Sequence, residues 1–244
     1  MTVPMSEHTA KAFDVDLQDI ARMVAEMGGL AEKQVADAVD ALAKRDAERA
    51  RRAVALDPAI DTLQHEIEEK AVLTIARRQP MAVDLREVVS ALRIASDLER
   101  VGDLAKNIGK RVMAISGDFH PQKLIRGVEH MAAMVLGQLK EVLDSYVGHD
   151  LDKALAVWKG DEEVDAMCTS LFRELLTYMM EDPRTITLCT HLLFCAKNVE
   201  RIGDHATNIA ESIWYQVNGE PLTAQRAKRD FTSNPELTKL GNKE

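Results

Sequence analysis

Aromatic residues make up only 4% of this 244-residue chain, and the whole sequence holds just 12 glycines and 7 prolines. A β-sandwich or barrel draws on aromatic and β-branched strands and on frequent turns, so this scarcity points away from sheet. Cationic charge is also short: 31 Lys and Arg face 40 Asp and Glu, for a formal net charge of −9. A chain of that sign is repelled by nucleic acid and by anionic lipid, and no nucleic-acid-binding role is expected. Cysteine is limited to Cys168, Cys189 and Cys195, an odd set flanked by apolar residues, which reads as buried free thiols in a reducing compartment. No run approaches the roughly 18 apolar residues of a membrane span, and the N-terminus carries acids and His where a signal peptide needs an apolar core. A cytoplasmic location is expected. Nor is there a recognisable nucleophile with a base partner, a glycine-rich phosphate loop or a His/Cys zinc cluster, so no enzymatic activity is expected.

What is present is a repeat. Glu99-Arg100-Val101-Gly102-Asp103-Leu104-Ala105-Lys106-Asn107-Ile108 returns as Glu200-Arg201-Ile202-Gly203-Asp204-His205-Ala206-Thr207-Asn208-Ile209. Chance would give such a match on the order of once in a million alignments. The correspondence extends to Asp57-Pro58-Ala59-Ile60-Asp61 with Asp161-Glu162-Glu163-Val164-Asp165, and to the Gln79-Pro80 break with Asp182-Pro183. The offset is 104 positions early and 101 late, a small deletion after the second proline turn. Two copies of one fold follow.

The few breakers divide the chain into long segments of 3.6-residue period, near 14–44, 47–78, 83–115, 123–147, 151–180 and 184–217. Ser116-Gly117-Asp118-Phe119-His120-Pro121 reads as the linker between copies. The expected architecture is all-α: two tandem, pseudo-symmetric antiparallel three-helix bundles, residues 1–118 and 119–218, followed by a polar, loosely docked tail over 219–244.

Glu99, Asp103 and Asn107 recur at i, i+4 and i+8 on one helix face. They continue a stripe formed by Leu85, Val89, Leu92 and Ser96, as Glu200 and Asp204 continue Ile186, Cys189, Leu193 and Ala196. The acids therefore stand where core residues are expected. Asp61 and Glu99 are each 19 residues from Pro80, and Asp57 and Asp103 each 23. In a tight antiparallel hairpin, equidistant residues share a height. The second copy gives 18 and 17 for Asp165 and Glu200 about Pro183, and 22 and 21 for Asp161 and Asp204. Four carboxylates per bundle would meet at one level, where mutual repulsion and desolvation oppose ionisation unless a cation compensates. Hard cations favour carboxylate and amide oxygen. Two metal sites are expected: Asp57, Asp61, Glu99, Asp103 and Asn107 in the first bundle; Asp161, Asp165, Glu200, Asp204, Asn208 and Glu211 in the second. The competing readings are an ion-pair network and a solvated acidic face. Arg100 and Arg201, about 100° around the helix from the preceding Glu, are expected to point to another surface. His65 and His205 lie near these faces and are weak ligand candidates, while Gly102 and Gly203, costly in mid-helix, suggest close helix packing.

On these motifs the chain resembles the PhoU family over about residues 12–217. The family's acidic E/D-x-x-x-D motif appears as Glu99-x-x-x-Asp103 and Glu200-x-x-x-Asp204, beside Asp57-x-x-x-Asp61 and Asp161-x-x-x-Asp165. The resemblance implies a cytoplasmic negative regulator of the phosphate-starvation response. It would act between a phosphate ABC transporter, through its ATPase subunit, and a membrane sensor histidine kinase, touching the membrane only through those partners. It also implies a homodimer and cation binding at the acidic motifs, with iron, zinc, magnesium or manganese as the ion. The copies differ at one point, for Glu211 extends the Glu200 face while its counterpart is Lys110. The alternative is a di-iron-type metalloenzyme or a metal-binding scaffold. Helix-bundle di-iron sites use Glu-x-x-His, and no His here has Glu three residues before it.

Overall fold

Sparse breakers produce long rods. The computed structural model describes the backbone over 5–115 and 123–222, with side chains from residue 13 onward. The expected linker at 116–121 and most of the expected tail, 223–244, lie outside the described residues. The helices are α1 (Met5–Lys44), α2 (Ala47–Ala55), α3 (Asp57–Arg78), α4 (Val83–Ile115), α5 (Lys123–Gly148), α6 (Leu151–Glu181) and α7 (Ile186–Asn218), with a 3-10 turn at Pro183–Thr185 before α7. The described residues form no strand.

The structure departs from the sequence reading in two places. α1 begins at Met5 rather than near Asp14, since no glycine or proline stands between Met5 and Gly28 to stop it. The second segment is not one helix but two, interrupted at Leu56. Pro58 lacks the N–H that would bond back to Val54, so the ladder breaks there and restarts with Ala59 N donating to Leu56 O at 3.0 Å. Caps set the other ends. Asp46 accepts from Arg49 N, Asp150 from Asp152 N and Lys153 N, and Gly219, at φ 78°, ends α7 in the left-handed conformation.

α1, the α2–α3 pair and α4 pack as one bundle, and α5, α6 and α7 as the other. The bundles meet along α4 with α7 and α1 with α5. Because α4 and α7 each pack against the other helices of their own bundle and against one another across the seam, their apolar faces are broad: Leu98, Val101, Ala105 and Ile108 on α4 are sealed, as are Ile202, Ala206, Ile209 and Ile213 on α7. The α4–α7 pair is antiparallel. Arg86 Nε reaches Gln216 O at 3.5 Å, Asp97 meets His205 and Asn208, and Arg111 lies over the Phe194 ring at 3.9 Å. Combined with the repeat offset, this register places the pseudo-twofold near Val101 and Ile202. Both acidic motifs therefore fall at mid-height, while the two proline turns lie at opposite ends.

All three cysteines are free and buried. Desolvation pushes the Cys195 thiol up to about 12 and raises that of Cys189, which disfavours the thiolate at both.

Candidate acidic sites of the two bundles

The N-terminus of α3 delivers Asp57 and Asp61, and the middle of α4 delivers Glu99 and Asp103. The register expected from the proline turn is the one found, because a single side chain spans it: Lys106 Nζ donates to Asp57 Oδ2 at 2.6 Å and to Asp103 Oδ1 at 2.5 Å. Burial opposes charge on Lys106, yet its hydrogen bonds to Asp103 and Asp57 and their negative charge prevail and raise its pKa. Glu99 shows the reverse balance. Burial raises its carboxyl above the ordinary range; Arg100 works against that shift, and the charges of Asp103 and Asp61 add to it. Arg100 does not point away as expected. Its long arm folds back, placing Nε 3.4 Å from Glu99 Oε2 and Nη1 4.0 Å from Asp103 Oδ2 while the guanidinium stays exposed. Asn107 is exposed.

In the second bundle α6 carries Asp161 and Asp165, and α7 carries Glu200 and Asp204. The register repeats, for Thr207, the counterpart of Lys106, brings Oγ1 within 3.4 Å of Asp161 Oδ1 while donating to Gly203 O at 3.0 Å. This cluster lies deeper. Asp161, Asp165 and Glu200 are 3%, 3% and 4% exposed. In the first cluster only Asp57 is buried, and the stripe leading to it, with Leu85 and Ser96 exposed, runs along the rim rather than through the core. Lys197 donates to Glu200 Oε1 at 2.8 Å from the half-exposed side.

Other expected site residues lie elsewhere. Glu211 is three turns, roughly 16 Å, beyond Glu200 and accepts from the Trp158 indole at 3.0 Å. Asn208 Nδ2 donates to Asp97 Oδ1 at 3.3 Å across the seam between bundles, and His205 Nδ1 lies 2.8 Å from the same oxygen. Asp97, Asn208 and Glu211 line a cleft of about 620 Å³ with Arg93, Ser212 and Tyr215. His65 turns back to its own helix, with Nδ1 2.8 Å from Asp61 O. Lys110 is exposed.

Sequence reasoning missed Gln34 on α1 and Gln138 on α5. Gln34 is fully buried and Gln138 half-buried, each with its amide oxygen turned to a mid-helix glycine; a Cβ on Gly102 would lie 3.1 Å from Gln34 Oε1, and one on Gly203 3.6 Å from Gln138 Oε1. Neither polar atom of Gln34 meets a partner among the described residues, nor does Gln138 Oε1. The signal was available, since they stand 104 positions apart, the same offset as Asp57 and Asp161.

Whether these carboxylates fit a cation is a matter of convergence. Their hard oxygen chemistry suits Mg²⁺, Mn²⁺ or iron. Among the described residues, however, no three His, Cys, Asp or Glu side chains gather closely enough to hold a metal ion. In the first bundle an ammonium already sits between two of the four. As arranged the residues do not fit a bound ion.

The PhoU domain family model matches residues 24–112 and 128–213, one domain per bundle. The chain is 57% identical to a phosphate-specific transport system accessory protein PhoU homolog of Rhizobium meliloti, over 93% of this chain and 95% of that one. It is 39% identical to the accessory protein PhoU of Edwardsiella tarda, over 88% of each. The crystal structure of PhoU from Pseudomonas aeruginosa superposes with a TM-score of 0.81 at 39% identity, covering 85% of this chain and all of that one. The phosphate transport system regulatory protein PhoU of Streptococcus pneumoniae does so at 0.79 and 29%, covering 87% and all.

Proposed function

The chain belongs to the PhoU family, and from that premise we propose that it is a cytoplasmic adaptor that holds the phosphate-starvation response off while phosphate is plentiful. It would do so by linking the ATPase subunit of a phosphate ABC transporter to a membrane sensor histidine kinase. The observation that carries the reading is identity of 57% across nearly the whole length of a phosphate-transport accessory protein. Its surface is consistent with docking to partners. Each proline turn presents apolar side chains to solvent, Met81 and Val83 at one end and Met180 and Ile186 at the other, with the methionines 81% and 80% exposed. Flexible, polarisable methionine suits surfaces that must adapt to a partner. No helix among the described residues is long and apolar enough to cross a membrane, so contact with the membrane would come through the partners.

Deletion of the gene tests the proposal. Phosphate-scavenging genes should switch on in high phosphate and be silenced again by the gene supplied in trans. A deletion strain that still represses them, with no second copy to compensate, overturns it. Co-purification from native cells, with and without phosphate, should recover the transporter ATPase and the sensor kinase.

A further inference from the structure

We infer that the Lys106 ammonium is the built-in counter-cation of the first carboxylate cluster, so the first bundle takes up no metal ion. Lys106 lies about 20° around α4 from Glu99, on the same face and three residues beyond Asp103. Its two hydrogen bonds join α3 to α4 at the level where the acids meet. One ammonium has three donors, and two of them end on Asp57 and Asp103. Arg100 closes the outer side against Glu99 and Asp103. A divalent ion approaching Asp57 and Asp103 would meet a fixed positive charge, and the repulsion is strengthened by the low polarity around Asp57, which is 7% exposed. The same position in the second repeat is Thr207, whose hydroxyl reaches Asp161 without bringing charge. The inference concerns the charge of one bundle and stands apart from the regulatory reading.

The full-length protein, stripped with chelator, tests it with Mn²⁺ as the probe, a hard ion suited to carboxylate oxygen. In the wild type, Asp57→Asn with Asp103→Asn should leave the calorimetric Mn²⁺ stoichiometry unchanged. Lys106→Thr, which copies the second repeat, should lower Tm by several degrees without metal, and millimolar Mn²⁺ should recover that loss with one additional ion bound. Adding Asp57→Asn and Asp103→Asn to Lys106→Thr should remove the extra ion and also recover Tm, because the uncompensated charges are gone. Lys106→Arg, which keeps the cation, should behave as wild type. A wild-type stoichiometry that falls when Asp57 and Asp103 are neutralised overturns the inference. So does a Tm loss in Lys106→Thr that neither Mn²⁺ nor that neutralisation reverses, and so does no loss at all. Should Lys106→Thr fail to fold, the wild-type stoichiometry with and without the two Asn substitutions decides between the outcomes.

Discussion

The two bundles share a register and differ in how they stabilise it. In the first, the acids lie at the rim and an ammonium joins the helices. In the second, three of the acids are buried, the joining position is a threonine, and a lysine reaches Glu200 from the surface. Duplication fixed the backbone and the carboxylates. Divergence then acted on the residues around them, the part of a charged site that can change without moving a helix. A repeated motif is therefore evidence of a repeated fold, and each copy's chemistry has to be read from its own neighbours.

Removing the joining residue from each bundle should separate them most. Lys106→Met leaves Asp57 buried without its cation, at a cost of about 2–3 kcal/mol. This is below the ~3–5 kcal/mol of a fully buried pair, because the Asp103 side chain is 35% exposed. Thr207→Val should cost about 1 kcal/mol or less, since the hydroxyl also bonds within its own helix. Urea denaturation of both variants reads the difference, and equal losses would break the contrast.

Next in size is the seam. His205 has Leu104 as its repeat counterpart, and its partner Asp97 has Asn198, so this contact across the bundles exists on one side of the pseudo-twofold only. His205→Leu should cost about 1–1.5 kcal/mol by removing one partner of a half-buried carboxylate that keeps Asn208. A loss near zero by denaturation would show that Asn208 alone satisfies Asp97.

The glycines should differ in sign. A Cβ on Gly203 meets Val135, Gln138 and Val164 at 3.5–3.6 Å, ordinary contact, so Gly203→Ala should gain about 1 kcal/mol of helix propensity. On Gly102 it meets Gln34 Oε1 and Ile60 Cδ1 at 3.1 Å each, and about 1–3 kcal/mol of overpacking should cancel or exceed that gain. Thermal melts of the pair, run together, check the ordering. Close packing, the expectation for both, is therefore tighter at Gly102 than at Gly203.

Much of this was legible in the sequence. The helices follow from where glycine and proline stand, and the height of the acids follows from equal distances to each proline turn, which the Lys106 and Thr207 contacts reproduce. The break at Leu56 was hidden because Pro58 falls at the start of α3, where proline is tolerated and does not disturb the apolar period. Lys106 stands in the sequence on the Glu99 face, but its reach across to α3 depends on a long flexible arm that spacing alone does not fix, and the arm of Arg100, next in sequence to Glu99, folds back for the same reason. The seam of Asp97, His205 and Asn208 was not legible, since comparing repeats reveals what the copies share and this contact is one they do not.

The smallest expected effect concerns the paired glutamates and depends on pH. Burial raises the Glu99 carboxyl, so the folded state binds its proton more tightly than the unfolded chain does. Stability from this group is fully present below the ordinary Glu value of about 4.3 and is lost as pH rises through the raised folded value. Glutamine, neutral throughout, avoids that loss. Glu99→Gln should match the wild type near pH 4 and melt slightly higher at pH 7. Glu200→Gln should shift the other way at pH 7, because it removes the charged acceptor of Lys197 in a side chain only 5% exposed. Melting curves of both variants at the two pH values decide it. Shifts of the same sign at pH 7 would mean that the two glutamates, like the register around them, had stayed equivalent after duplication.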